Sequence, residues 1–328
     1  MNRKNIIKNN EVSKLVTYSL GGYEQKVMLE GKKRGNPVVI MLHGGPGSPI
    51  PFSAGCRGLF PGITDKLLMV VWDQLGCGIN NYPIDDSFHI DHFVAMTVDL
   101  VREVRKEFPD NRVFLFGMSW GSILAAKTAH RVPELLDGVV TYGQVLHHLI
   151  FNDEVYHILE NAGLSVKEMT ELSEMKTSTS HSYEENVSVV KWIQKYTEGY
   201  QCRQGGKAPV LPVVWGMLTS PDYSLKDFQA VVVNGYRGNR SLSQEMEALD
   251  LRDTLRQIKI PYLILQGNTD IVTSTKSMQE FFADNSFDGR ENPNLTLKIV
   301  PDSGHMPGGN AMNIIIDELE NQCFGMER

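Results

Sequence analysis

The chain has few cysteines for its length. Its 328 residues include four, at Cys56, Cys77, Cys202 and Cys323, and these are widely scattered. None belongs to a C-x-x-C pair, so the spacing predicts neither a zinc site nor a disulfide framework. This argues against a small disulfide-stapled secreted protein and favours a reducing, cytoplasmic setting. We expect no metal and no other cofactor.

The sequence also lacks an excess of positive charge and any long apolar run. The formal net charge is -7 at pH 7 and there is no long basic stretch, which argues against nucleic acid or an anionic membrane as a partner. No stretch approaches the roughly 18–20 apolar residues that span a bilayer. The basic N-terminus is not followed by an apolar segment, so we expect no secretory signal. A small-molecule or peptide partner fits best, and the sequence leaves the oligomeric state open.

What the sequence does contain is a strand-to-helix turn around a serine. Residues 113–116 are an apolar, aromatic-rich run typical of a buried strand, and residues 123–129 are small, good helix formers. Between them, Gly117-Met118-Ser119-Trp120-Gly121 fits G-x-S-x-G, a sharp turn that exposes a serine at its tip. The glycines are expected because a Cβ at Gly117 or Gly121 would collide with a neighbouring segment.

Strands and helices alternate on both sides of this turn. Short apolar runs predict buried strands at residues 37–42, 67–72, 138–142, 261–266 and 295–300, after an N-terminal hairpin of residues 15–20 and 25–29. Helical patterns cover about residues 90–108, 274–283 and 310–322, besides the helix that follows the serine. This alternation predicts an α/β fold with a mostly parallel sheet covered by helices on both faces.

The middle of the chain has a different pattern. From residue 147 to 247 buried strand runs disappear, and segments 153–161, 166–175 and 184–196 predict amphipathic helices. We therefore divide the chain into a first core segment, residues 1–146, an inserted helical cap, residues 147–247, and a second core segment, residues 248–328.

Three loops that follow predicted strands carry complementary chemistry. Ser119, Asp270 and His305 occur in the chain order of a Ser-Asp-His triad, each just after a strand. His305 would be the general base for Ser119, and Asp270 would hold the imidazole tautomer. The N–H of Trp120 and an N–H from the loop at Gly44 and Gly45 would form the oxyanion hole.

Each residue also has a simpler explanation when taken alone. His305 could be a surface loop histidine, and Asp270 could cap the helix that follows it. The glycines after His43 could form only a turn, with the His43 side chain supporting that loop. The catalytic interpretation is favoured because all of these residues occur together, each after the appropriate strand.

These motifs resemble the α/β-hydrolase superfamily and, within it, the proline iminopeptidase group. The matching stretches are His43-Gly44-Gly45-Pro46-Gly47, Trp72-Asp73-Gln74, Gly76-Cys77-Gly78, Gly117-Met118-Ser119-Trp120-Gly121-Ser122, Gly267-x-x-Asp270 and Gly304-His305. The resemblance implies a cofactor-free serine hydrolase with a helical cap that releases an N-terminal residue, often proline, from short peptides. The chain departs from the group at Leu75, at Ile79-Asn80 and at Met118, outside the triad.

An aminopeptidase must recognise a free amine, so carboxylates of the cap should face the site. Glu154 and Glu245 are the candidates because they lie near the two ends of the insertion. The alternative for each of these two acids is that it lies on a solvated helix face and binds no substrate. Two other functions stay open: an esterase, amidase or C–C bond hydrolase acting on a small molecule with the same triad, and a non-catalytic binding protein.

Overall fold

The fold is built on one sheet of eight strands. In this computed structural model the described residues are 3–49, 56–57, 60, 62–147, 150–178, 181–205, 210–284 and 292–325. The strands are β1 (Val12–Leu20), β2 (Tyr23–Gly31), β3 (Val38–Leu42), β4 (Leu68–Trp72), β5 (Val113–Met118), β6 (Gly138–Tyr142), β7 (Tyr262–Gly267) and β8 (Leu295–Val300). Their order across the sheet is β1-β2-β4-β3-β5-β6-β7-β8.

The pairing explains why the predicted site residues can meet. β1 and β2 form an antiparallel hairpin, and β2 pairs antiparallel with β4. All pairings from β4 through β3, β5, β6 and β7 to β8 are parallel. The carboxyl ends of β5, β7 and β8 therefore lie at one edge of the sheet, where loops of such folds carry ligands and chemistry. The predicted mostly parallel sheet is confirmed.

Thirteen α-helices are present in the described residues. They are α1 (Arg3–Asn9), α2 (Ile63–Lys66), α3 (Ile90–Glu107), α4 (Trp120–Arg131), α5 (Asp153–Glu160), α6 (Val166–Thr177), α7 (Tyr183–Tyr196), α8 (Val210–Leu218), α9 (Leu225–Val232), α10 (Arg240–Glu247), α11 (Arg252–Arg256), α12 (Thr275–Ala283) and α13 (Gly309–Phe324). None of them is both long and apolar enough to cross a lipid bilayer.

Apolar side chains bury both faces of the sheet. On one face, residues of α3 and α4 such as Val101 and Leu124 pack with Ile40 and Leu115 in one cluster. On the other, residues of α13 pack with Phe116 and neighbouring strand residues in a second cluster. Successive side chains of a strand point to opposite faces of the sheet. Because helices bury both faces, the central strands have continuous apolar sequences. Helices cover both faces, as the sequence predicts.

The chain between β6 and β7 is helical throughout its described elements, α5 to α11. The helices α5, α6 and α7 lie where the sequence predicts them. Their apolar side chains, including Leu159 and Trp192, form one cluster with Ile271 and Val272 of the loop after β7. The insertion begins and ends at neighbouring points, because Leu251 N–H donates to Leu146 O at 2.8 Å. This geometry supports the proposed division at residues 146 and 247, which stays a prediction.

Candidate active site

The turn at Ser119 is tight and strained. Ser119 has φ 49° and ψ -119°, an unusual conformation for a residue with a side chain. A Cβ at Gly117 would lie 2.6 Å from Gly121 O, and one at Gly121 would lie 2.0 Å from Leu42 O. Both positions therefore require glycine, since α4 leaves no room for a methyl group at Gly117 and the end of β3 leaves none at Gly121. The strain fixes Ser119 between the end of β5 and the start of α4.

The structure brings Ser119, His305 and Asp270 together from three loops. His305 Nε2 lies 3.0 Å from Ser119 Oγ, and His305 Nδ1 lies 3.0 Å from Asp270 Oδ2. The carboxylate is 2% exposed and the histidine 8% exposed. Both distances are within hydrogen-bond reach, so the imidazole can take the hydroxyl proton while the carboxylate holds its other nitrogen.

Asp270 is oriented by a set of donors that the sequence analysis missed. Its Oδ1 accepts hydrogen bonds from the N–H groups of Val272 at 2.8 Å and Thr273 at 3.0 Å. Its Oδ2 accepts from Thr273 Oγ1 at 2.7 Å and from Gln266 Nε2 at 3.3 Å. Gln266 is fully buried at the end of an otherwise apolar strand, and a polar residue in such a run is the signal that could have identified it.

Two of the predicted oxyanion residues, Gly44 and Trp120, lie beside the serine. A Cβ on Gly44 would be 3.3 Å from Ser119 Cβ, so this glycine allows the loop to approach the turn closely. Trp120 is the first residue of α4, and N–H groups at a helix start have no partner within the helix. Gly45 has φ +119°, a conformation that strongly favours glycine. Donation by Trp120, Gly44 or Gly45 to an oxyanion stays a prediction.

His43 is a buried support for this loop. Its Nδ1 donates to Gly44 O at 2.9 Å, and its Nε2 accepts from Gln74 N–H at 3.0 Å. These partners assign a neutral ring with the proton on Nδ1. Burial lowers the pKa of His43 to about 4, although the bond to Gly44 O acts in the opposite direction.

Gln74 connects three of the recognised motifs. Besides its N–H bond to His43, its Nε2 donates to His43 O at 3.2 Å. Its Oε1 accepts from Trp120 Nε1 at 2.8 Å. The side chains of Gln74 and Trp120 are both buried, so the Gln74 amide fixes the glycine loop relative to Trp120, the residue that follows Ser119.

The two candidate amine-binding acids occupy different places. Glu154, on α5, accepts a hydrogen bond from Ser274, which follows the Asp270 loop. Glu245, on α10, accepts from His89 Nδ1 at 2.8 Å and from Ile90 N–H at 2.7 Å. The structure therefore places Glu154 next to the acid loop and uses Glu245 to cap the start of α3, where a carboxylate is favoured.

The part of the chain that the structure describes contains no cluster of three or more His, Cys, Asp or Glu side chains arranged to hold a metal ion. All four cysteines lie in the described part of the chain, where they are buried and form no disulfide.

Comparison with known proteins places the chain in a family. The sequence model of the alpha/beta hydrolase fold matches residues 37–309, so the chain belongs to the alpha/beta hydrolase family. A probable aminopeptidase of Bacillus subtilis (strain 168) is 25% identical over 279 residues, 80% of this chain and 83% of that protein. A proline iminopeptidase of Lactobacillus acidophilus is 23% identical over 274 residues, 80% of this chain and 85% of that protein.

A solved structure agrees in fold. The crystal structure of a proline iminopeptidase of Mycobacterium smegmatis covers 96% of this chain and 100% of its own, with a TM-score of 0.63 and 17% identity. The resemblance predicted from the motifs, to the α/β hydrolases and their proline iminopeptidase group, is confirmed. At this identity the structural likeness concerns the fold, and the chain's own substrate has to be argued from its site.

Proposed function

We propose that the protein is a serine hydrolase in which Ser119 is the nucleophile and His305 the general base. The observation that carries this proposal is the pair of 3.0 Å distances, from His305 Nε2 to Ser119 Oγ and from His305 Nδ1 to Asp270 Oδ2. A serine hydroxyl is a weak nucleophile, and a base within hydrogen-bond distance is what activates it.

The reaction would proceed through an acyl-enzyme. Ser119 Oγ attacks the substrate carbonyl as its proton passes to His305 Nε2, and the oxyanion accepts hydrogen bonds from the N–H groups of Trp120 and Gly45 or Gly44. His305 then gives its proton to the leaving group as the tetrahedral intermediate collapses. Water, with His305 again as base, hydrolyses the ester on Ser119 and releases the acid.

For the substrate we propose a short peptide with a free N-terminus, from which proline or another small residue is released. Relatives named aminopeptidase or proline iminopeptidase, along about 80% of this chain, support this choice. Two acids of the insertion adjoin the triad loops: the Glu154 carboxylate accepts a hydrogen bond from Ser274, and the main-chain carbonyl of Glu198 accepts one from Thr269 at 2.8 Å. A partly desolvated carboxylate is the group that holds an ammonium.

A substrate panel tests the proposal. Purified protein and Ser119→Ala would be assayed with prolyl, alanyl and leucyl arylamides, an N-blocked prolyl arylamide and short p-nitrophenyl esters. We expect turnover of the free-amine prolyl arylamide, loss on blocking the amine, and loss in Ser119→Ala. Ester turnover alone, abolished by Ser119→Ala, would keep the serine mechanism and replace the peptidase proposal by the esterase. Activity that survives in Ser119→Ala would refute the mechanism.

The amine site can be located with charge-removing variants. Glu154→Gln and Glu198→Gln each keep the shape of the side chain, and the variant that removes an amine contact should raise KM for free-amine substrates about 10-fold or more. The blocked substrate should not respond. Glu184→Gln is the matched control, because Glu184 is an exposed acid on α7. Unchanged KM in both variants would remove these two acids from the proposal.

A further inference from the structure

The core binds the loop that carries His305 at the two residues before the histidine. The Tyr142 hydroxyl, at the end of β6, donates to Gly304 O at 2.5 Å and lies 2.5 Å from Ser303 Oγ. The Ser303 N–H donates to Asn268 Oδ1 at 3.0 Å. These contacts join the loop to β6 and to the loop after β7.

The insertion binds the main chain of the histidine, whose side chain is held by Asp270. We define residues 198–205, which follow α7, as the clamp segment. His305 N–H donates to Gly199 O at 3.0 Å, and Met306 N–H donates to Tyr200 O at 2.7 Å. The Tyr200 ring also packs against the imidazole, with ring centroids 5.9 Å apart. The clamp segment therefore contacts both the main chain and the ring of the proposed base.

Glycines make this contact unusually close. A Cβ on Gly304 would lie 2.8 Å from Glu198 O and 2.9 Å from Gly199 O, so a methyl group would push the two main chains apart. A Cβ on Gly308 would lie 1.9 Å from Gly205 O, at the other end of the clamp segment. The histidine loop therefore touches the clamp segment near both of its ends.

One side chain ties the clamp segment to the acid loop as well. Thr269 precedes Asp270, and its Oγ1 donates to Glu198 O at 2.8 Å and lies 3.2 Å from Ser303 O. This hydroxyl of the acid loop therefore contacts both the clamp segment, at Glu198, and the histidine loop, at Ser303.

We propose that the clamp segment positions His305 for proton transfer, so that Ser119 is activated only while the insertion is seated on the histidine loop. The inference rests on the proposed function, which requires His305 as base. The physical reason is distance: the bond from Nε2 to Oγ is 3.0 Å, and a shift of the histidine by about 1 Å breaks it. Movement of the insertion would therefore control catalysis as well as access.

The test separates positioning from substrate binding. Gly304→Ala wedges the clamp segment away from the histidine loop, whereas Gly309→Ala adds the same methyl group where nothing lies within 4 Å. We expect Gly304→Ala to lower kcat about 10- to 100-fold with a smaller change in KM. A small fluorophosphonate, which needs no contact with the insertion, should phosphonylate Ser119 more slowly by a similar factor. Gly309→Ala should match the wild type.

A second pair of variants guards against misfolding of Gly304→Ala. Thr269→Val removes the hydroxyl and keeps the shape, and Thr269→Ser restores a hydroxyl. We expect Thr269→Val to slow phosphonylation about 3- to 10-fold in a protein that stays folded, with the Tm lowered by no more than a few degrees, and Thr269→Ser to restore the rate.

Wild-type phosphonylation rates in folded Gly304→Ala, or in Thr269→Val, would overturn the inference while leaving the serine mechanism intact. Full activity of Ser119→Ala would instead refute the proposed function itself.

Discussion

Protonation of His43 should destabilise the folded protein over a defined pH range. The ring is buried, and burial lowers its pKa from 6.5 to about 4. Between these values the unfolded chain binds a proton that the folded chain does not, so stability falls as the pH is lowered from about 6.5 to about 4. The difference of about 2.5 pH units corresponds to about 3 kcal/mol by pH 4.

His43→Asn is the variant that isolates this effect. An amide does not titrate, and it can donate to Gly44 O as Nδ1 does. It leaves Gln74 N–H without its acceptor, which should cost about 1–3 kcal/mol at every pH. The variant should therefore be less stable than the wild type at pH 7, and the gap should close by about 3 kcal/mol at pH 4.

The assay is urea unfolding of both proteins at a series of pH values, followed by tryptophan fluorescence. Comparing the two proteins at each pH cancels the titration of the groups that they share. His130→Asn, at an exposed histidine, is the matched control. A gap between wild type and His43→Asn that stays constant from pH 7 to pH 4 would refute a buried, neutral His43.

Three further predictions concern other buried charges. Burial raises the pKa of Asp73 from 3.8 to about 6, so stability falls as the pH rises from about 4 to 6. Relative to the wild type, Asp73→Asn should gain about 2–3 kcal/mol between pH 4 and pH 8 in thermal or urea unfolding, and a pH-independent difference would contradict this. Arg57→Leu leaves the Glu30 carboxylate buried without its cation and should cost about 3–5 kcal/mol in urea unfolding. Lys32→Leu, in an exposed ion pair, should cost less than about 1 kcal/mol, and equal losses in the two variants would contradict the prediction. Asp270→Asn should lower kcat about 10⁴-fold at similar KM in steady-state assays, and a loss below about 10-fold would remove Asp270 from the triad.

Much of the fold could be predicted because its strands are buried on both faces. Continuous runs such as residues 67–72 and 138–142 coincide within one residue with the buried strands β4 and β6, and the long amphipathic pattern of residues 90–108 predicted α3. The N-terminal α1 and the later helices of the insertion were not predicted. The sequence of α8 includes Pro212 and Gly216, residues that weaken a helical pattern, so local propensity carries little signal there.

The site was predictable where chemistry is tied to chain order and unpredictable where it depends on non-local contacts. Ser119, Asp270 and His305 follow strands whose carboxyl ends must meet, so topology alone brings their loops together. The role of Glu245 depends on the start of α3, which is distant in sequence. The clamp segment binds the histidine loop through main-chain carbonyl oxygens. Every residue type has such an oxygen, so apart from glycines such as Gly199 the sequence contains no pattern that predicts this contact.

The most direct test of the central claim is mass spectrometry of the protein after reaction with a fluorophosphonate. The account predicts one covalent adduct, located by peptide mapping on Ser119, absent from Ser119→Ala and formed far more slowly in His305→Gln. An adduct on another residue, or undiminished labelling of His305→Gln, would contradict a serine nucleophile activated by His305.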